Sequence, residues 1–553
     1  MEKLLLLGDE AVAQGALDAG LSGVYAYPGT PSSEITEYIQ RNPEARERHV
    51  QREWCVNEKT SMEAALGMSY AGKRALVCMK HVGLNVAADP YVNSSTTGAN
   101  GGIVVAVADD PSMHSSQNEQ DSRFYSKFAM MPALEPSNQQ EAYNMMFDAY
   151  ELSEKYHKPI MIRLTTRLAH SRAGIERKPV KAENTLKMPD DPNQFMLLPA
   201  IARQRYKRLL AMQADFEEES ERSPYNAYRD GPDKSRGFIA CGLAYNYLME
   251  NYQNGGCPHP VLKISQYPLP RTLIERIIAE CDEIVVFEEG APFVEEMLKG
   301  YLGPRFSGQG QLDVVATEEG KASTMLKGCP PIKGRLDGTL PRDGELNPGI
   351  VRIALGMDDL KKRTIPEVVV RRPPALCKGC PHIDSYNALN EALQEYGKGH
   401  VFSDIGCYTL GFLPPYNAIN SCVDMGASVT MAKGAADAGL FPSVAAIGDS
   451  TFIHSGITGL LYAVHNRSNV VILILDNGTT AMTGGQDYPA MGRIEEICEG
   501  LGVEKDHIRV LTPLKKHHDE MVCVMKEEIA YNGVSVVIPR RECIQMSGKK
   551  KKK

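Results

Sequence analysis

Short apolar runs alternate with longer stretches of mixed polarity along the first 170 positions. The apolar runs occupy residues 24–27, 75–79, 103–108 and 159–164. Each run has the length of a buried strand, whereas residues 141–156 have a helical pattern. Gly, Pro, Ser or Asn stands at each junction. This alternation predicts a parallel sheet with helices on both faces.

The same alternation returns twice further along the chain. Its apolar runs occupy residues 237–242, 261–264 and 283–287, and then 444–447, 470–475 and 534–538. We therefore expect a multidomain α/β protein of parallel sheets flanked by helices, with a first domain at 1–180, a smaller middle domain at 236–330 and a third domain at 373–545. A charged connector at 181–235, a linker at 331–372 and a lysine tail at 546–553 complete the prediction.

Composition and charge exclude several classes of partner. Lys and Arg number 61 against 69 Asp and Glu, for a net charge of −8, and the one basic run is at the lysine tail, so no nucleic acid partner is expected. Apolar runs fall well short of the ~20 residues that span a bilayer. The N-terminus lacks a signal pattern, so we expect a cytoplasmic protein. The thirteen cysteines are expected to be thiols or metal ligands rather than disulfides.

Two strand ends in the third domain carry residues suited to a phosphate and a cation. The run 444–447 leads into Gly448-Asp449-Ser450, and the run 470–475 leads into Asp476-Asn477-Gly478-Thr479. Carboxylate and amide oxygens are ligands for a hard divalent cation, and glycine lets the backbone approach a phosphate. The alternative is that Asp and Asn stand here as ordinary turn residues.

Several further motifs stand along the chain in an order that is typical of one enzyme family. They are Tyr27-Pro28-Gly29-Thr30-Pro31-Ser32-Ser33, Cys377-Lys378-Gly379-Cys380-Pro381-His382, Ser403-Asp404-Ile405-Gly406-Cys407 and the run 476–486. With these motifs the chain resembles the thiamine-diphosphate-dependent 2-oxoacid:ferredoxin oxidoreductases over nearly its whole length. The run 79–86 adds a likeness to large subunits that act on arylpyruvates such as indolepyruvate. The first domain then binds the cofactor's pyrimidine and the third its diphosphate.

The resemblance implies a set of cofactor contacts. Mg²⁺ is held by Asp449, the Asn477 side chain and the Thr479 backbone carbonyl. Further contacts with the diphosphate are implied for Gly448, Ser450, Gly406 and Cys407. The sequence departs from the family at Ser450, where Gly is usual, and at Asp476, where Asn is usual, and neither departure removes an implied ligand.

The resemblance also implies catalytic groups in the first domain. A partly buried carboxylate must protonate the aminopyrimidine ring, and Glu58 matches that place, with Glu53 and Glu63 as competitors. Thr30 and Arg123 match the residues that handle the substrate carboxylate. Arg suits this task because its fork donates two hydrogen bonds, although Arg123 is equally compatible with a surface position in a polar loop.

Oxidising the decarboxylated substrate in one-electron steps requires an acceptor such as a [4Fe–4S] cluster held by four thiolates. Cys377, Cys380 and Cys407 match the family's first three ligands, and Cys543 is our choice for the fourth, with Cys422 as its rival. Structural zinc is the alternative occupant of such a cysteine set.

The implied reaction converts an arylpyruvate, coenzyme A and oxidised ferredoxin to an aryl-acetyl-CoA, CO₂ and reduced ferredoxin. The implied partner is a smaller β subunit, in an assembly of two heterodimers. The family's ferredoxin-like extension is missing here, so we expect either a shortened form or electron exit through another polypeptide. A non-oxidative arylpyruvate decarboxylase and a catalytically idle scaffold are the alternatives.

Overall fold

The computed structural model describes residues 3–189, 191, 193–252, 256–299, 330–357, 366–370 and 373–550. The chain divides into two compact units. The first contains Met1–Glu53 and Glu58–Thr364, and the second contains Trp54–Asn57 and Ile365–Lys553. Both units are built from mostly parallel sheets flanked by helices, which confirms the predicted multidomain α/β class.

The first unit contains three sheets. Its strands are β1 (Lys3–Leu7), β2 (Gly23–Ala26), β3 (Ala75–Lys80), β4 (Ile103–Asp109), β5 (Ala133–Leu134), β6 (Ile160–Thr165), β7 (Arg172–Glu176), β8 (Ala227–Arg229), β9 (Gly237–Cys241), β10 (Val261–Ile264), β11 (Gln266–Tyr267), β12 (Ile284–Phe287) and β13 (Ile332–Lys333). Their orders are β11-β5-β6-β4-β3-β2, β13-β12-β9-β10-β8 and β1-β7. All seven residues of β4 are buried, because helices cover both faces of a parallel sheet.

Helices connect these strands. They are α1 (Gly8–Asp18), α2 (Ser33–Arg41), α3 (Pro43–Glu47), α4 (Glu58–Tyr70), α5 (His81–Val86), α6 (Ala88–Thr97), α7 (Arg123–Ala129), α8 (Gln139–Tyr156), α9 (Thr166–His170), α10 (Pro199–Ala211), α11 (Gln213–Glu221), α12 (Ala244–Met249), α13 (Arg271–Glu280), α14 (Phe293–Lys299) and α15 (Pro348–Ala354), with 3₁₀ turns at Pro111–Met113 and Glu250–Tyr252. The predicted helix at 141–156 corresponds to α8 and is confirmed.

The two larger sheets of the first unit share one hydrophobic core. A single buried cluster joins residues of the six-stranded sheet, such as Val105, to residues of the five-stranded sheet, such as Ile239 and Leu262. Strand β11 strengthens this union, because it follows β10 in the chain but pairs antiparallel with β5 of the six-stranded sheet. The segments predicted as a first and a middle domain are therefore packed into one unit.

The segment 181–235, interpreted as a charged connector, contains two helices and a strand. Most side chains of α10 and α11 are exposed, whereas Leu209 and Phe216 are fully buried. The high charge belongs to the exposed faces, and the two buried residues are too few to produce a clear apolar period in the sequence.

The second unit contains one parallel sheet in the order β14-β15-β16-β18-β17. Its strands are β14 (Val401–Ser403), β15 (Val444–Gly448), β16 (Val470–Leu475), β17 (Ile508–Leu511) and β18 (Val534–Pro539). Its helices are α16 (Pro381–Ala392), α17 (Ala427–Asp437), α18 (Asp449–Thr451), α19 (Ile457–His465), α20 (Ile494–Gly500), α21 (His518–Ala530) and α22 (Ile544–Lys550), with a π turn at Phe452–Gly456 and 3₁₀ turns at Cys407–Phe412, Lys505–His507 and Lys515–His517. Alternate residues of β15 and β16 enter two separate buried clusters.

The eleven predicted elements all exist in the structure, with ends that shift by one or two residues. The domain boundaries stay predictions, and residues 300–329, 358–365, 371–372 and 551–553 of the middle domain, linker and tail lie outside the described residues. No helix in the described ranges combines the length and the apolar character that crossing a membrane requires.

Candidate functional site

Two neighbouring strand ends in the second unit build a small polar centre. Strands β15 and β16 are paired with Gly448 opposite Leu475, so Asp449 and Asp476 leave the sheet side by side. The Asp449 carboxylate accepts a hydrogen bond from the backbone N–H of Gly478 at 2.8 Å. Gly478 has φ +71°, a conformation that favours glycine. The turn that follows β16 is thereby held against Asp449.

Asn477 and Thr479 lie in that same turn. The Asn477 side-chain nitrogen is 3.3 Å from His382 Nε2, and its oxygen accepts the Thr479 backbone N–H at 3.2 Å. Burial lowers the pKa of His382 to about 4, so the ring is neutral and its Nε2 can accept the amide proton. This contact orients the amide oxygen away from His382 and toward the turn.

The centre fits a hard divalent cation. Burial, and then the charge of Asp476, raise the pKa of Asp449 to about 7. The charged form of this carboxylate is therefore destabilised, and a cation bound beside it would stabilise that form. Asp476 already has such a neighbour, because its carboxylate accepts the Arg540 Nε–H at 2.6 Å. Among the described residues, Asp449 instead accepts hydrogen bonds from neutral donors, including the Tyr488 hydroxyl at 3.0 Å. Asp449, Asn477 and the Thr479 carbonyl offer the oxygen ligands that Mg²⁺ prefers.

Structure explains both departures from the family pattern. The Ser450 hydroxyl lies 2.8 Å from that of Thr480, so serine adds a link between the two strand ends. The Asp476 carboxylate forms an ion pair with Arg540, a contact that the neutral Asn of the family pattern would not make as an ion pair. Tyr488 and Arg540 were missed in the sequence, since each comes from a distant segment and only the fold brings them to Asp449 and Asp476.

The glycines Gly448 and Gly406 have a packing role. A Cβ atom at Gly448 would lie 2.5 Å from the ring of Tyr408, and one at Gly406 would lie 2.2 Å from the same ring. Side chains at these two positions would therefore displace a buried tyrosine. Contact of Gly448, Gly406 and Ser450 with a diphosphate stays a prediction.

Four cysteines form one group in the second unit. Burial, and then Cys377 and Cys543, raise the pKa of Cys380 to about 11. Burial, and then Cys380, Cys543 and Cys377, raise the pKa of Cys407 to about 12. The rival Cys422 belongs to a different environment, because after burial its pKa responds to Asp404 and Thr409.

This cysteine group adjoins the Asp449 centre. Asp449 is among the charges that raise the pKa of Cys407. The backbone N–H of Cys543 donates to the Asn477 carbonyl at 3.0 Å, and His382 follows Cys380 by two positions. The same short segments therefore position the thiols and the oxygen ligands.

The thiols of this group do not have the spacing of a tetrahedral zinc site. Tetrahedral zinc with bonds of about 2.3 Å requires sulfurs about 3.8 Å apart. Among the described residues, no three cysteine sulfurs lie within 4.8 Å of one another; the one group of three potential ligands that does is Asp9, Glu34 and His170. A [4Fe–4S] cluster held by these four cysteines stays a prediction.

In the first unit, Glu58 is the buried member of the three candidate carboxylates. It is the first residue of α4 and is 5% exposed. A Cβ atom on Gly83 would lie 2.6 Å from its Oε1, so α5 packs directly on the carboxylate. Glu53 and Glu63 are exposed, and Glu63 pairs with Lys59. Burial therefore favours Glu58 over its competitors for a role that needs a desolvated acid.

Thr30 lies in a turn that is linked to Lys80 through Ser115 of a neighbouring loop. The Ser115 hydroxyl donates to the Thr30 carbonyl at 3.2 Å, and the Lys80 ammonium donates to the Ser115 carbonyl at 3.2 Å. The Lys80 chain also packs on the turn, since a Cβ on Gly29 would lie 3.3 Å from its Cδ. The sequence did not single out Lys80, although a cation at a strand's carboxyl end beside the Thr30 turn was a usable signal.

The structure places Arg123 in a different environment from Thr30. Arg123 is fully buried at the start of α7, which excludes the surface position considered above. Its donors reach Asp121 Oδ1 at 2.9 Å, the Tyr267 hydroxyl at 3.2 Å, Glu288 at 2.9 Å and the carbonyls of Glu289 and Ala291 at 3.0 and 3.1 Å. Each of the three guanidinium nitrogens thus already has a protein acceptor, so a substrate role for Arg123 gains no support.

The run Glu288-Glu289-Gly290, which carried no role in the sequence, belongs to this buried network. Glu288 accepts the backbone N–H groups of Val294 and Glu295 at the start of α14. Gly290 has φ +84°, and a Cβ there would lie 2.8 Å from Asp121 and 2.9 Å from Arg163. The network joins the two larger sheets of the unit.

Arg123→Gln is expected to destabilise the protein by about 3–5 kcal/mol, because it removes the cation paired with buried Glu288 and leaves buried Asp121 with Arg163 alone. The control is Arg222→Gln, which removes an exposed ion pair with Glu218 worth at most about 1 kcal/mol. Thermal unfolding measures both. An unchanged unfolding midpoint in Arg123→Gln, together with a raised KM for substrate, would instead assign Arg123 to the substrate.

Comparisons with known proteins agree with this geometry. Residues 14–227 match the family model described as pyruvate flavodoxin/ferredoxin oxidoreductase, thiamine diphosphate-binding, and residues 404–538 match the C-terminal binding domain of thiamine pyrophosphate enzymes. The fold and these two matches define a thiamine-diphosphate-dependent enzyme of the 2-oxoacid oxidoreductase class.

The curated relatives narrow the class. Indolepyruvate oxidoreductase subunit IorA of Archaeoglobus fulgidus is 39% identical over 98% of this chain and 86% of its own length. IorA of Methanothermobacter thermautotrophicus is 38% identical over 99% of this chain and 88% of its own. The chain belongs to the family of indolepyruvate oxidoreductase subunit IorA. A solved structure, 2-oxoglutarate:ferredoxin oxidoreductase from Magnetococcus marinus, is 17% identical with a TM-score of 0.43, over 51% of this chain and 57% of that chain.

Asp449→Asn is expected to weaken Mg²⁺-dependent binding of thiamine diphosphate by at least about 100-fold. Loss of an outer-shell partner of a metal costs up to about 100-fold in affinity, and loss of a direct ligand should cost no less. The matched control, Asp476→Asn, removes the neighbouring carboxylate that Arg540 already neutralises, and should keep the affinity. Calorimetric titration of the cofactor with excess Mg²⁺ measures both. Equal losses in the two variants would contradict the assignment of Asp449 as the ligand.

Proposed function

We propose that this chain is the large subunit of an enzyme that oxidatively decarboxylates arylpyruvates, with indolepyruvate as the substrate and ferredoxin as the electron acceptor. The balanced reaction joins one 2-oxo acid and one coenzyme A to give an acyl-CoA, CO₂ and a proton. Its two electrons reduce two one-electron ferredoxins. A smaller β subunit completes the enzyme, in two heterodimers.

Membership of the IorA family supports the substrate and the acceptor. A single structural observation supports the oxidative course over simple decarboxylation. The four-cysteine group lies beside Asp449, so an electron acceptor held there is close to the magnesium ligands. A non-oxidative decarboxylase has no use for such a group, and neither has an idle scaffold.

Each group has a distinct task in the proposal. Bound thiamine diphosphate supplies a carbon nucleophile and accepts the electron pair that decarboxylation releases. Asp449, Asn477 and the Thr479 carbonyl hold the Mg²⁺ that anchors the diphosphate. Glu58 shares a proton with the aminopyrimidine nitrogen and so keeps the cofactor in its active tautomer. Cys377, Cys380, Cys407 and Cys543 hold the [4Fe–4S] cluster that takes the electrons one at a time.

Anaerobic turnover of the enzyme with its partner subunit tests the proposal. Indolepyruvate, coenzyme A, thiamine diphosphate, Mg²⁺ and ferredoxin are supplied, and indoleacetyl-CoA and reduced ferredoxin are measured. The expected result is two reduced ferredoxins for each acyl-CoA formed. Release of indoleacetaldehyde without reduction of ferredoxin would favour the non-oxidative enzyme, and failure to bind thiamine diphosphate would favour the scaffold.

A further inference from the structure

We propose that Lys80, together with the Thr30 hydroxyl, forms the site that binds the substrate carboxylate, and that Arg123 takes no part in it. This inference rests on the proposed function for the identity of the substrate. It assigns to Lys80 the binding of the substrate carboxylate, which the family resemblance had assigned to Arg123.

The first argument is the availability of hydrogen-bond donors. The Lys80 ammonium donates one hydrogen bond among the described residues, to the Ser115 carbonyl, and so keeps two N–H groups for a ligand. The Thr30 hydroxyl has no protein partner in the described part of the chain, although its carbonyl accepts from Ser115. Arg123, in contrast, is fully buried, and each of its three nitrogens already donates to a protein acceptor.

The second argument is position. Lys80 ends β3 and Thr30 follows β2, and these strands are parallel neighbours, so both residues stand at the carboxyl edge of one sheet, where ligands bind in such folds. The charges that act on Lys80 are those of Asp110 and of Glu58, the proposed catalytic acid. Asp110 accepts four hydrogen bonds, from the N–H and the hydroxyl of Ser115 and from the hydroxyls of Ser116 and Thr166. Lys80 is therefore the cation of this sheet edge on which the charge of Glu58 acts.

The chemistry of decarboxylation favours a weak cation at this place. The carboxylate loses its charge as CO₂ leaves, so a strong ion pair would stabilise the substrate more than the transition state and slow the reaction. Lys80 is half-buried, and burial lowers its pKa to about 8. Its single-atom contact holds the substrate less firmly than a bidentate guanidinium does.

The test is direct binding of indole-3-propionate, which has the carboxylate but lacks the keto group, to the holoenzyme with its partner subunit. Lys80→Met should weaken this binding by about 10- to 150-fold, the value of a hydrogen bond to a charged group. Lys80→Arg should restore most of it. The neutral amide, indole-3-propionamide, should bind wild type and Lys80→Met equally. Lys59→Met, which removes an exposed lysine from α4, is the matched control and should bind as wild type does.

The pH profile separates an ionic role from a structural one. A lysine is charged below its pKa, so binding to wild type should be full below pH 7 and fall as the pH rises through about 8. In Lys80→Arg the fall should vanish, because guanidinium stays charged. In turnover, Lys80→Met should raise the KM for indolepyruvate and leave kcat and the KM for coenzyme A nearly unchanged.

Equal binding of indole-3-propionate by wild type and Lys80→Met would overturn the proposal. So would a raised KM for coenzyme A with an unchanged KM for indolepyruvate, which would assign Lys80 to a phosphate of the second substrate. These binding experiments require no turnover. Absence of indoleacetyl-CoA formation would therefore refute the proposed function while the comparison of Lys80 variants stays interpretable.

Discussion

Replacing Glu58 with Gln should lower kcat by about 10²- to 10⁴-fold, the usual contribution of a positioned acid or base. Gln has the size of Glu and keeps a carbonyl oxygen, but it cannot share a proton with the aminopyrimidine. Glu58 is buried, with Gly83 of α5 against its carboxylate, so the glutamine side chain should keep the same place. The measurements are kcat with indolepyruvate and the rate of deuterium exchange at the cofactor's thiazolium carbon.

Glu63→Gln is the matched control for this variant. It changes the same residue type on the same helix, but Glu63 is exposed and pairs with Lys59, so kcat should be unchanged. Thiamine diphosphate should bind Glu58→Gln with nearly normal affinity, since the magnesium ligands are untouched. Normal exchange at the thiazolium carbon in Glu58→Gln would show that another group activates the cofactor.

The sequence predicted the strands well because most are fully buried. Apolar runs such as 103–108 and 470–475 need no alternation to be recognised when helices cover both faces of the sheet. Eight of the eighteen described strands were missed, and each of these has five residues or fewer. One of them, β17 at the sheet edge, is also partly exposed and mixes Arg509 with apolar residues. The shared core of the two sheets in the first unit depends on contacts distant in sequence, which no local pattern records.

The parts of the site that follow directly from the order of the strands were predictable, whereas contacts between residues distant in sequence were not. Asp449 and Asn477 stand directly after two strong strands, so their meeting followed from parallel pairing. The environment of Arg123 was not predictable, because Asp121 is local in the chain but Tyr267 and Glu288 are more than 140 positions away, and Glu288 follows a strand of the other large sheet. Lys80 was overlooked because its neighbour Ser115 lies in a polar loop, and the sequence has no pattern that would place this loop beside β3.

Replacing Cys543 with Ser should abolish the [4Fe–4S] cluster, with a fall from ~4 iron atoms per chain and loss of the visible absorption. The alkoxide of serine is a harder and more basic donor than a thiolate, so it does not replace the fourth ligand. Reduction of ferredoxin should stop, whereas thiamine diphosphate should still bind, because Asp449 and Asn477 keep their side chains. Iron analysis and spectra of anaerobically purified protein provide the measurement.

Cys422→Ser is the control that the structure selects, because Cys422 lies with Asp404 and Thr409 and not with the other four thiols. It should keep its iron, its colour and its turnover. A reversed result, with iron lost from Cys422→Ser and kept by Cys543→Ser, would assign the fourth ligand to Cys422. Colourless wild-type protein with one zinc per chain would refute the cluster itself, and with it the oxidative course, since zinc accepts no electron. The metal bound by the four thiols beside Asp449 therefore distinguishes an enzyme that passes electrons to ferredoxin from one that releases an aldehyde.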